Sequence, residues 1–188
     1  MSPFTAATRK VDDLVITAIP EDERLWVPQA EKVWFRPLFL NTVAGDWVNL
    51  LRVRRSGVLS RHRHPAPVHG YVIKGSWRYL EHDWIAREGM YVFEPPGEVH
   101  TLVVDDDVDE MITLFHVCGA LVYYDAAGNP CGHDDVHTKI EFCRRHLAKL
   151  KCPRSIEFDP ALPRLPTGKL YKKGLRDRYW SGKASRIV

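Results

Sequence analysis

The sequence has little of what marks secreted, membrane-spanning or disulfide-stabilised proteins. Its four cysteines, Cys118, Cys131, Cys143 and Cys152, lack the spacing of a disulfide framework in a chain of 188 residues. No stretch approaches the roughly 18 consecutive apolar residues of a membrane span. Residues 1–10 also lack the apolar run of a signal peptide. These absences predict a cytoplasmic protein that has no membrane partner.

The charges that are present divide the chain into two parts. The part of the chain from Arg144 to the C-terminus contains 13 of the 27 basic residues but only 3 of the 24 acidic ones. Residues 1–143 therefore hold 14 basic and 21 acidic side chains, and the sign of the net charge changes at this point. We predict a globular domain over residues 1–143 and a basic tail of different origin over residues 144–188.

Short runs rich in β-branched and aromatic residues fill the chain between Trp47 and Asp125, and glycine and proline turns separate them. This pattern predicts an all-β antiparallel barrel or sandwich. A further strand is predicted at Leu14–Ile19. A helix is predicted from an Asp134 N-cap to about Leu150, with a Glu141/Arg145 pair one turn apart. The predicted central strands are Val48–Arg55, Val68–Ile73, Trp77–Leu80, Met90–Glu94, Thr101–Val104, Met111–Val117 and Leu121–Tyr124.

Three histidines form a candidate metal site. His62 and His64 are separated by one residue, so on an extended backbone both imidazoles point to the same face. His100 lies 38 residues after His62 and follows a Pro-Pro-Gly turn, so a second strand can supply the third ligand. The alternative is a surface histidine cluster beside Arg61 and Arg63.

The segments that carry these histidines resemble the paired motifs of the cupin superfamily. In the second segment Gly89, Pro95, Gly97 and His100 match the pattern G-x5-P-x-G-x2-H. The first segment runs from Gly57 through His62 and His64 to Gly75. Compared with the family pattern, it has one residue fewer between Gly57 and His62 and one fewer between His69 and Gly75. It carries His69 where the family has a glutamate ligand. The resemblance implies an all-β cupin fold, a double-stranded β-helix or jelly-roll barrel, with a C-terminal helix and the basic tail.

Within the cupins, residues from about 14 to 146 look like the 2,4'-dihydroxyacetophenone dioxygenase group, also described as ChrR-like cupins. The active-site layout is also similar to that of acetylacetone-cleaving dioxygenases. The resemblance implies Fe(II), with zinc or another divalent metal as alternatives, held by His62, His64 and His100. His69 is a candidate fourth ligand. Glu94, Arg78 and Tyr71 look like the catalytic residues that position substrate and protons.

These observations predict a non-haem dioxygenase that uses O2 to cleave a carbon–carbon bond of a small aryl hydroxyketone or β-diketone. The first alternative is a zinc-binding sensor or regulatory cupin of the ChrR type, and the second is an isomerase or lyase cupin. The expected partners are the ketone substrate, O2 and further copies of the chain in a homodimer or tetramer.

The tail contains the run Leu165-Pro-Thr-Gly-Lys169, which resembles the C-terminal end of acyl-CoA synthetases. Lys169 matches the lysine that those enzymes use during adenylation. No phosphate-binding loop accompanies it in this sequence, so we expect the tail to be a catalytically silent remnant or at most a docking arm. Its basic charge also suits nucleic acid, but it has no recognisable nucleic-acid-binding motif, and we expect no such partner.

Overall fold

The structure is a computed structural model that describes residues 13–147 and residue 171. Contacts between residues group the chain into two units, residues 1–152 and residues 153–188. The tail residues 148–170, which include Lys169, lie outside the described part. The predicted boundary after residue 143 therefore stays a prediction.

The described residues form a β-sandwich of two six-stranded antiparallel sheets. A short 3₁₀ helix, Glu23–Leu25, comes before the first strand, and one α-helix, α1 (Val136–His146), follows the last. The strands are β1 (Val27–Ala30), β2 (Val33–Leu40), β3 (Asp46–Val53), β4 (Gly57–Arg63), β5 (Val68–Lys74), β6 (Ser76–Tyr79), β7 (Ala86–Arg87), β8 (Tyr91–Glu94), β9 (Val99–Val104), β10 (Met111–Cys118), β11 (Leu121–Tyr124) and β12 (Pro130–Asp134).

Strand order brings the two histidine segments together. The first sheet has the order β1-β2-β3-β10-β5-β8, and the second has the order β12-β11-β4-β9-β6-β7. β4 and β9 are neighbours in the second sheet, and their register pairs His62 directly with His100. Side chains directly opposite each other on adjacent strands project to the same face, so both imidazoles enter the interior.

Apolar side chains from both sheets fill the space between them. Trp47, Trp77, Met111, Val72 and Val104 are almost completely buried in this core. The alternation of buried and exposed residues along the strands places one face of each sheet inward. On β6, for example, Trp77 and Tyr79 are buried and their neighbours are not.

The predicted all-β antiparallel architecture with a C-terminal helix is confirmed. The predicted strand at Leu14–Ile19 is wrong: no residue of this segment pairs as a strand. Ala18 instead packs against Trp26, Leu50 and Ile112, so local β-propensity gave way to tertiary packing. Strand β4, which carries His62, was not among the predicted strands, and neither were β1, β2, β7 and β12.

Helix α1 begins one residue later than predicted. Asp135, and not Asp134, is its N-cap, and Asp135 shares a reciprocal capping box with Thr138. The predicted Glu141/Arg145 pair forms, with 3.4 Å between Arg145 Nε and Glu141 Oε1. Phe142 and Cys143 pack the helix against Phe35 of β2. Asp134 is the last residue of β12, and its side chain is buried.

Candidate metal centre

The three predicted ligand histidines converge in the interior. The ring centroid of His100 lies 4.7 Å from that of His62 and 4.9 Å from that of His64. His62 comes from β4, His64 from the residue just beyond the end of that strand, and His100 from β9. All three side chains are buried, and His64 has no exposed surface. Three imidazoles held this close out of water form a set of nitrogen ligands that suits a transition metal.

Glu94 supplies a carboxylate at the centre of this group. Its Oε2 lies 3.0 Å from His64 Nε2 and 3.7 Å from His100 Nε2. The possible ligand atoms of His62, Glu94 and His100 all lie within 4.8 Å of one another. Glu94, predicted above as a catalytic residue, comes from β8 of the opposite sheet to lie beside the histidines.

Two buried atoms of the cluster lack a hydrogen-bond partner. Within the described residues, neither Glu94 Oε1 nor His100 Nε2 makes a hydrogen bond. Leaving a buried polar atom unpaired costs about 1–3 kcal/mol. A bound divalent cation would give His100 Nε2 a partner and would offset the charge of the Glu94 carboxylate beside it, so the residues present fit a metal ion.

The Nδ1 atoms of His62 and His64 have partners that orient these two imidazoles. His62 Nδ1 lies 3.0 Å from the hydroxyl of Ser60, and His64 Nδ1 lies 2.9 Å from the carbonyl oxygen of Ala66. Contacts of this kind fix the ring plane of a metal-binding histidine. They leave Nε2 of His62 for the metal, whereas Nε2 of His64 faces Glu94 Oε2. The turn before His100 is tied to the same region, because the Gly97 amide donates to the His64 carbonyl at 3.0 Å.

Burial keeps two of the imidazoles neutral. Burial, followed by repulsion from the nearby His64, lowers the pKa of His62 to about 4, while a hydrogen bond with Ser60 opposes the shift. Burial likewise lowers the pKa of His100 to about 3, with added repulsion from His62 and His64. Neutral imidazole is the form that binds metals, so the site is in its ligand state at neutral pH.

Tyr79 is a site residue that the sequence analysis missed. Its ring stacks on His100 with 3.8 Å between centroids and 7° between planes. Its hydroxyl donates to Glu94 Oε2 at 2.8 Å. Burial, followed by the negative charge of Glu94, raises its pKa well above the ordinary value. Alternation with the buried Trp77 on β6 was the available signal, because residues two apart on a strand share a face.

The same alternation places Arg78 and Tyr71 away from the cluster. Arg78 lies on the outer face of β6, where its guanidinium contacts Asp105 at 2.9 Å. Tyr71 is 48% exposed and follows the inward-facing Gly70 on β5. The structure therefore does not bring these two predicted catalytic residues to the histidines.

His69, predicted as a fourth ligand, also faces outward on β5. Its Nδ1 lies 2.7 Å from the Tyr91 hydroxyl, and its ring stacks on His116 at 5.9 Å. The inward residues of this strand are Val68, Gly70 and Val72, so parity excludes His69 from the interior. In the motif His69 stands where the family has a glutamate ligand, but in the structure its side chain lies on the outer face of β5.

A cavity of about 380 Å³ opens beside the cluster. His62, Tyr79 and Glu94 form part of its wall, while Leu51, Leu102 and Phe115 supply apolar surface. This volume lies within the range of about 300–1,000 Å³ that is usual for small-molecule sites. The cavity can hold a small organic molecule next to a metal bound at the histidines.

The cavity wall between β1 and β12 is closed by a buried polar network. Lys139 Nζ donates to Asp134 Oδ2 at 2.8 Å and to Gln29 Oε1 at 3.0 Å. Asp134 Oδ2 also accepts from the Tyr123 hydroxyl at 2.8 Å. Burial lowers the pKa of Lys139, and Asp134 opposes that shift. The network joins α1 to the edge strands of both sheets.

A second group with ligand-like geometry consists of His82, Glu98 and His100. His82 Nε2 and Glu98 Oε2 lie 3.0 Å apart at the surface, and Glu98 is exposed. Because two of its members are already paired in water, this group is a weaker candidate than the buried one.

A comparison with protein families identifies the fold group of the chain. Residues 16–122, more than half of the sequence, match the family described as the ChrR cupin-like domain. The chain belongs to this family. The match includes β1 to β10 and therefore both histidine segments and Glu94.

Solved cupin structures resemble this ChrR cupin-like domain over most of their own length. An RmlC-like cupin protein from Ralstonia eutropha JMP134 is 29% identical, with a TM-score of 0.59 over 64% of this chain and 82% of that one. An acetylacetone dioxygenase from Acinetobacter johnsonii has a TM-score of 0.60 over 73% of this chain and 97% of that one. At 14% identity, the second likeness supports the fold alone.

The curated relatives are ligases that this chain matches only in part. A long-chain-fatty-acid–CoA ligase of Mycobacterium tuberculosis, FadD13, is 45% identical over 40 residues, which are 21% of this chain and 8% of the ligase. The fatty acid–acyl-carrier-protein ligase ScoC of Streptomyces coeruleorubidus is 33% identical over 95 residues, 16% of its length.

No helix within residues 13–147 is both long and apolar enough to cross a membrane.

Proposed function

We propose that the protein is a non-haem, Fe(II)-dependent dioxygenase that cleaves a carbon–carbon bond of a small aryl hydroxyketone or β-diketone with O2. The observation that carries the proposal is the buried group of three histidines and Glu94 beside a largely apolar cavity. Membership of a cupin family and the fold shared with an acetylacetone dioxygenase support it.

His62, His64 and His100 would hold the metal in this proposal, with Glu94 as an adjacent carboxylate. A bound Fe(II) would supply Lewis acidity toward two substrate oxygens and a site for O2. Tyr79 fixes Glu94 by donating to its Oε2, which leaves Oε1 free within the described residues. Glu94 Oε1 is therefore placed to accept the proton that a hydroxyketone or diketone loses as it becomes an enolate.

The apolar wall positions the rest of the substrate. Leu51, Leu102 and Phe115 can enclose an aryl or alkyl group and exclude water from the reacting carbon atoms. Exclusion of water strengthens the interaction between an enolate and the positive centre, because the effective dielectric constant falls. The substrate would enter with its two oxygens toward the histidines.

A metal-binding regulatory cupin without turnover is the second candidate. The description of the matched family as ChrR cupin-like supports this reading, and neutral imidazoles suit zinc as well as iron. Elemental analysis of protein purified without added metal, followed by an oxygen-electrode screen, separates the two. Iron with O2 uptake on hydroxyacetophenones or β-diketones supports the enzyme. Zinc without uptake supports the regulatory protein.

Two matched variants test the ligand set. We expect His100→Ala to lower the bound metal to well below one ion per chain and to abolish O2 uptake. His69→Ala removes an imidazole from the outer face and should change neither the amount of bound metal nor the O2 uptake. Equal loss of metal from both variants would contradict the proposed centre.

We also propose that the tail over residues 144–188 has no ligase activity of its own. The chain spans 8% and 16% of the two ligases compared above. ATP-dependent adenylation of fatty acids, measured by pyrophosphate exchange and sensitive to Lys169→Ala, would overturn this proposal.

A further inference from the structure

Among the cations that line the cavity, Arg55 is the one that is partly buried and has no carboxylate partner within the described residues. Arg55 follows β3 in the turn that leads to β4, and it lines the cavity. Its neighbours Arg52 and Arg54 are both in ion pairs, with Glu23 and Glu110 respectively. No such pair joins Arg55 to any carboxylate of the described residues. Its Nη2 donates to the Val58 carbonyl at 3.1 Å, which holds the side chain in place.

The Nε atom of Arg55 is buried and makes no hydrogen bond within residues 13–147. Arg36 and Arg52 also have an unpaired Nε, but neither of them lines the cavity. Nε–H and one Nη–H of a guanidinium point in parallel and fit the two oxygens of a carboxylate. Arg55 is therefore a cation of the cavity wall that has a donor which no described group satisfies.

The strand register places Arg55 at the opposite end of the cavity from the histidines. β4 begins at Gly57, which pairs with Val104, and ends near His62, which pairs with His100. The five residues from Gly57 to His62 correspond to roughly 16 Å of extended backbone. The apolar Leu51, Leu59 and Leu102 line the cavity as well. A ligand that reached both ends would be polar at each end and apolar in the middle.

We propose that Arg55 is the anchor for a carboxylate at the far end of the substrate, so that the preferred substrates are aryl hydroxyketones that carry an acidic group. This inference rests on the proposed function, because it takes the histidines as the end that holds the two ketone oxygens. The aryl ring would lie against the leucines, with the carboxylate on the guanidinium of Arg55.

The charges of the cavity agree with an anionic ligand. Glu94 is the one carboxylate among the residues that line it, and Lys139 is already neutralised by Asp134. Arg55 and a divalent metal would together leave an excess of positive charge in a partly desolvated space. A substrate with one carboxylate and one enolate oxygen would balance that excess.

The test compares para-(hydroxyacetyl)benzoate with its neutral primary amide, which has nearly the same shape. Binding to the metal-loaded full chain is measured without O2 by tryptophan fluorescence, and turnover is measured with an oxygen electrode. We expect the benzoate to bind at least about tenfold more tightly, as for a charge-assisted hydrogen bond that is partly buried. Arg55→Gln should remove this preference and leave the affinity for the amide unchanged.

Arg61 provides the matched control. It also borders the cavity, but its side chain is exposed beside the inward-facing His62. Arg61→Gln removes the same charge and should keep the preference for the benzoate. Equal binding of benzoate and amide to the unchanged protein would overturn the inference. Loss of amide binding in Arg55→Gln, or equal effects of the two substitutions, would also overturn it.

The outcomes keep this inference apart from the proposed function. Equal O2 uptake with both ketones would leave the dioxygenase proposal standing and reject the carboxylate anchor. Preferential binding of the benzoate without any O2 uptake would support the anchor and reject the dioxygenase.

Discussion

Glu94 and Tyr79 illustrate at the scale of single residues how a buried carboxylate is kept in place. The carboxylate is buried among three imidazoles, and the Tyr79 hydroxyl supplies its shortest hydrogen bond of those described. The stacking of Tyr79 on His100 couples the same side chain to a second member of the group. Tyr79 is thus a positioning residue for both.

We expect Tyr79→Phe to lower iron affinity by about tenfold or more, in line with the loss of other groups that orient metal ligands. The ring and its stacking remain, so the effect isolates the hydroxyl. Competition with a chromophoric chelator measures the affinity. Tyr71→Phe, on the exposed outer face, is the control and should bind iron as the unchanged protein does. If Tyr79→Phe binds iron as tightly as the unchanged protein does, the Tyr79 hydroxyl does not position the metal site.

The sequence predicted the placement of His62, His64 and His100 but not of their neighbours. Parity along one strand is a local rule, and it placed His62 and His64 on one face. Glu94 was predicted as a catalytic residue from the resemblance to the dioxygenases, and it reaches His100 from a different sheet. Their approach depends on how the sheets stack, which no local pattern contains. In the structure Arg78 and Tyr71 face outward, as the alternation along their strands requires. The same alternation on β6 would have identified Tyr79 as an inward-facing residue.

At the scale of elements, the contact between α1 and the two sheet edges depends on one buried ion pair. Lys139 on the helix and Asp134 at the end of β12 are both almost fully buried. Gln29 of β1 and Tyr123 of β11 complete the hydrogen bonds. The loss of one partner leaves the other charge buried without compensation.

We expect Lys139→Ala to lower the free energy of unfolding by about 3 kcal/mol or more, because Asp134 would stay buried without its cation. Urea denaturation of the metal-free protein measures the change. Arg145→Ala on the same helix breaks an exposed pair with Glu141 and should cost less than about 1 kcal/mol. The double variant Lys139→Met with Asp134→Asn should recover part of the loss. Similar effects of the two single substitutions would refute the assignment.

Most elements of the sandwich were predictable from alternation and turn residues, whereas the exceptions depended on context. β4 begins at Gly57 and has exposed residues at Gly57 and Val58, so its pattern is weak, and pairing with β9 decides its conformation. Leu14–Ile19 has the composition of a strand but no partner in the described sheets. Asp134 and Asp135 both suit an N-cap, and the burial of Asp134 against Lys139 leaves the cap to Asp135.

At the scale of the whole molecule, the buried histidines make the stability of the metal-free fold depend on pH. The pKa values of His62 and His100 in the folded protein are about 4 and about 3, below the 6.5 of an exposed histidine. Between these values the unfolded chain binds protons that the folded protein does not. Their contribution to stability is therefore complete above pH 6.5 and declines as the pH falls toward 4 and then 3.

We expect the free energy of unfolding of the metal-free protein to fall by up to about 1.4 kcal/mol per pH unit for each of these histidines below pH 6.5. Urea denaturation at a series of pH values gives the slope. His62→Gln should reduce the slope, since it removes one of the groups. His137→Gln, which removes an exposed histidine on α1, should leave the slope unchanged. A slope that is the same in His62→Gln would argue against a buried neutral imidazole at that position.

The network of Lys139, Asp134 and Gln29 has a further consequence for how the cavity admits a ligand. Elsewhere along the sheets, main-chain ladders hold neighbouring strands at fixed spacing. Within the described residues, β1 and β12 share no such ladder and meet through side chains alone. The interior can therefore widen at this seam for a bulkier ligand by the loss of side-chain contacts alone, while every backbone hydrogen bond of both sheets stays intact.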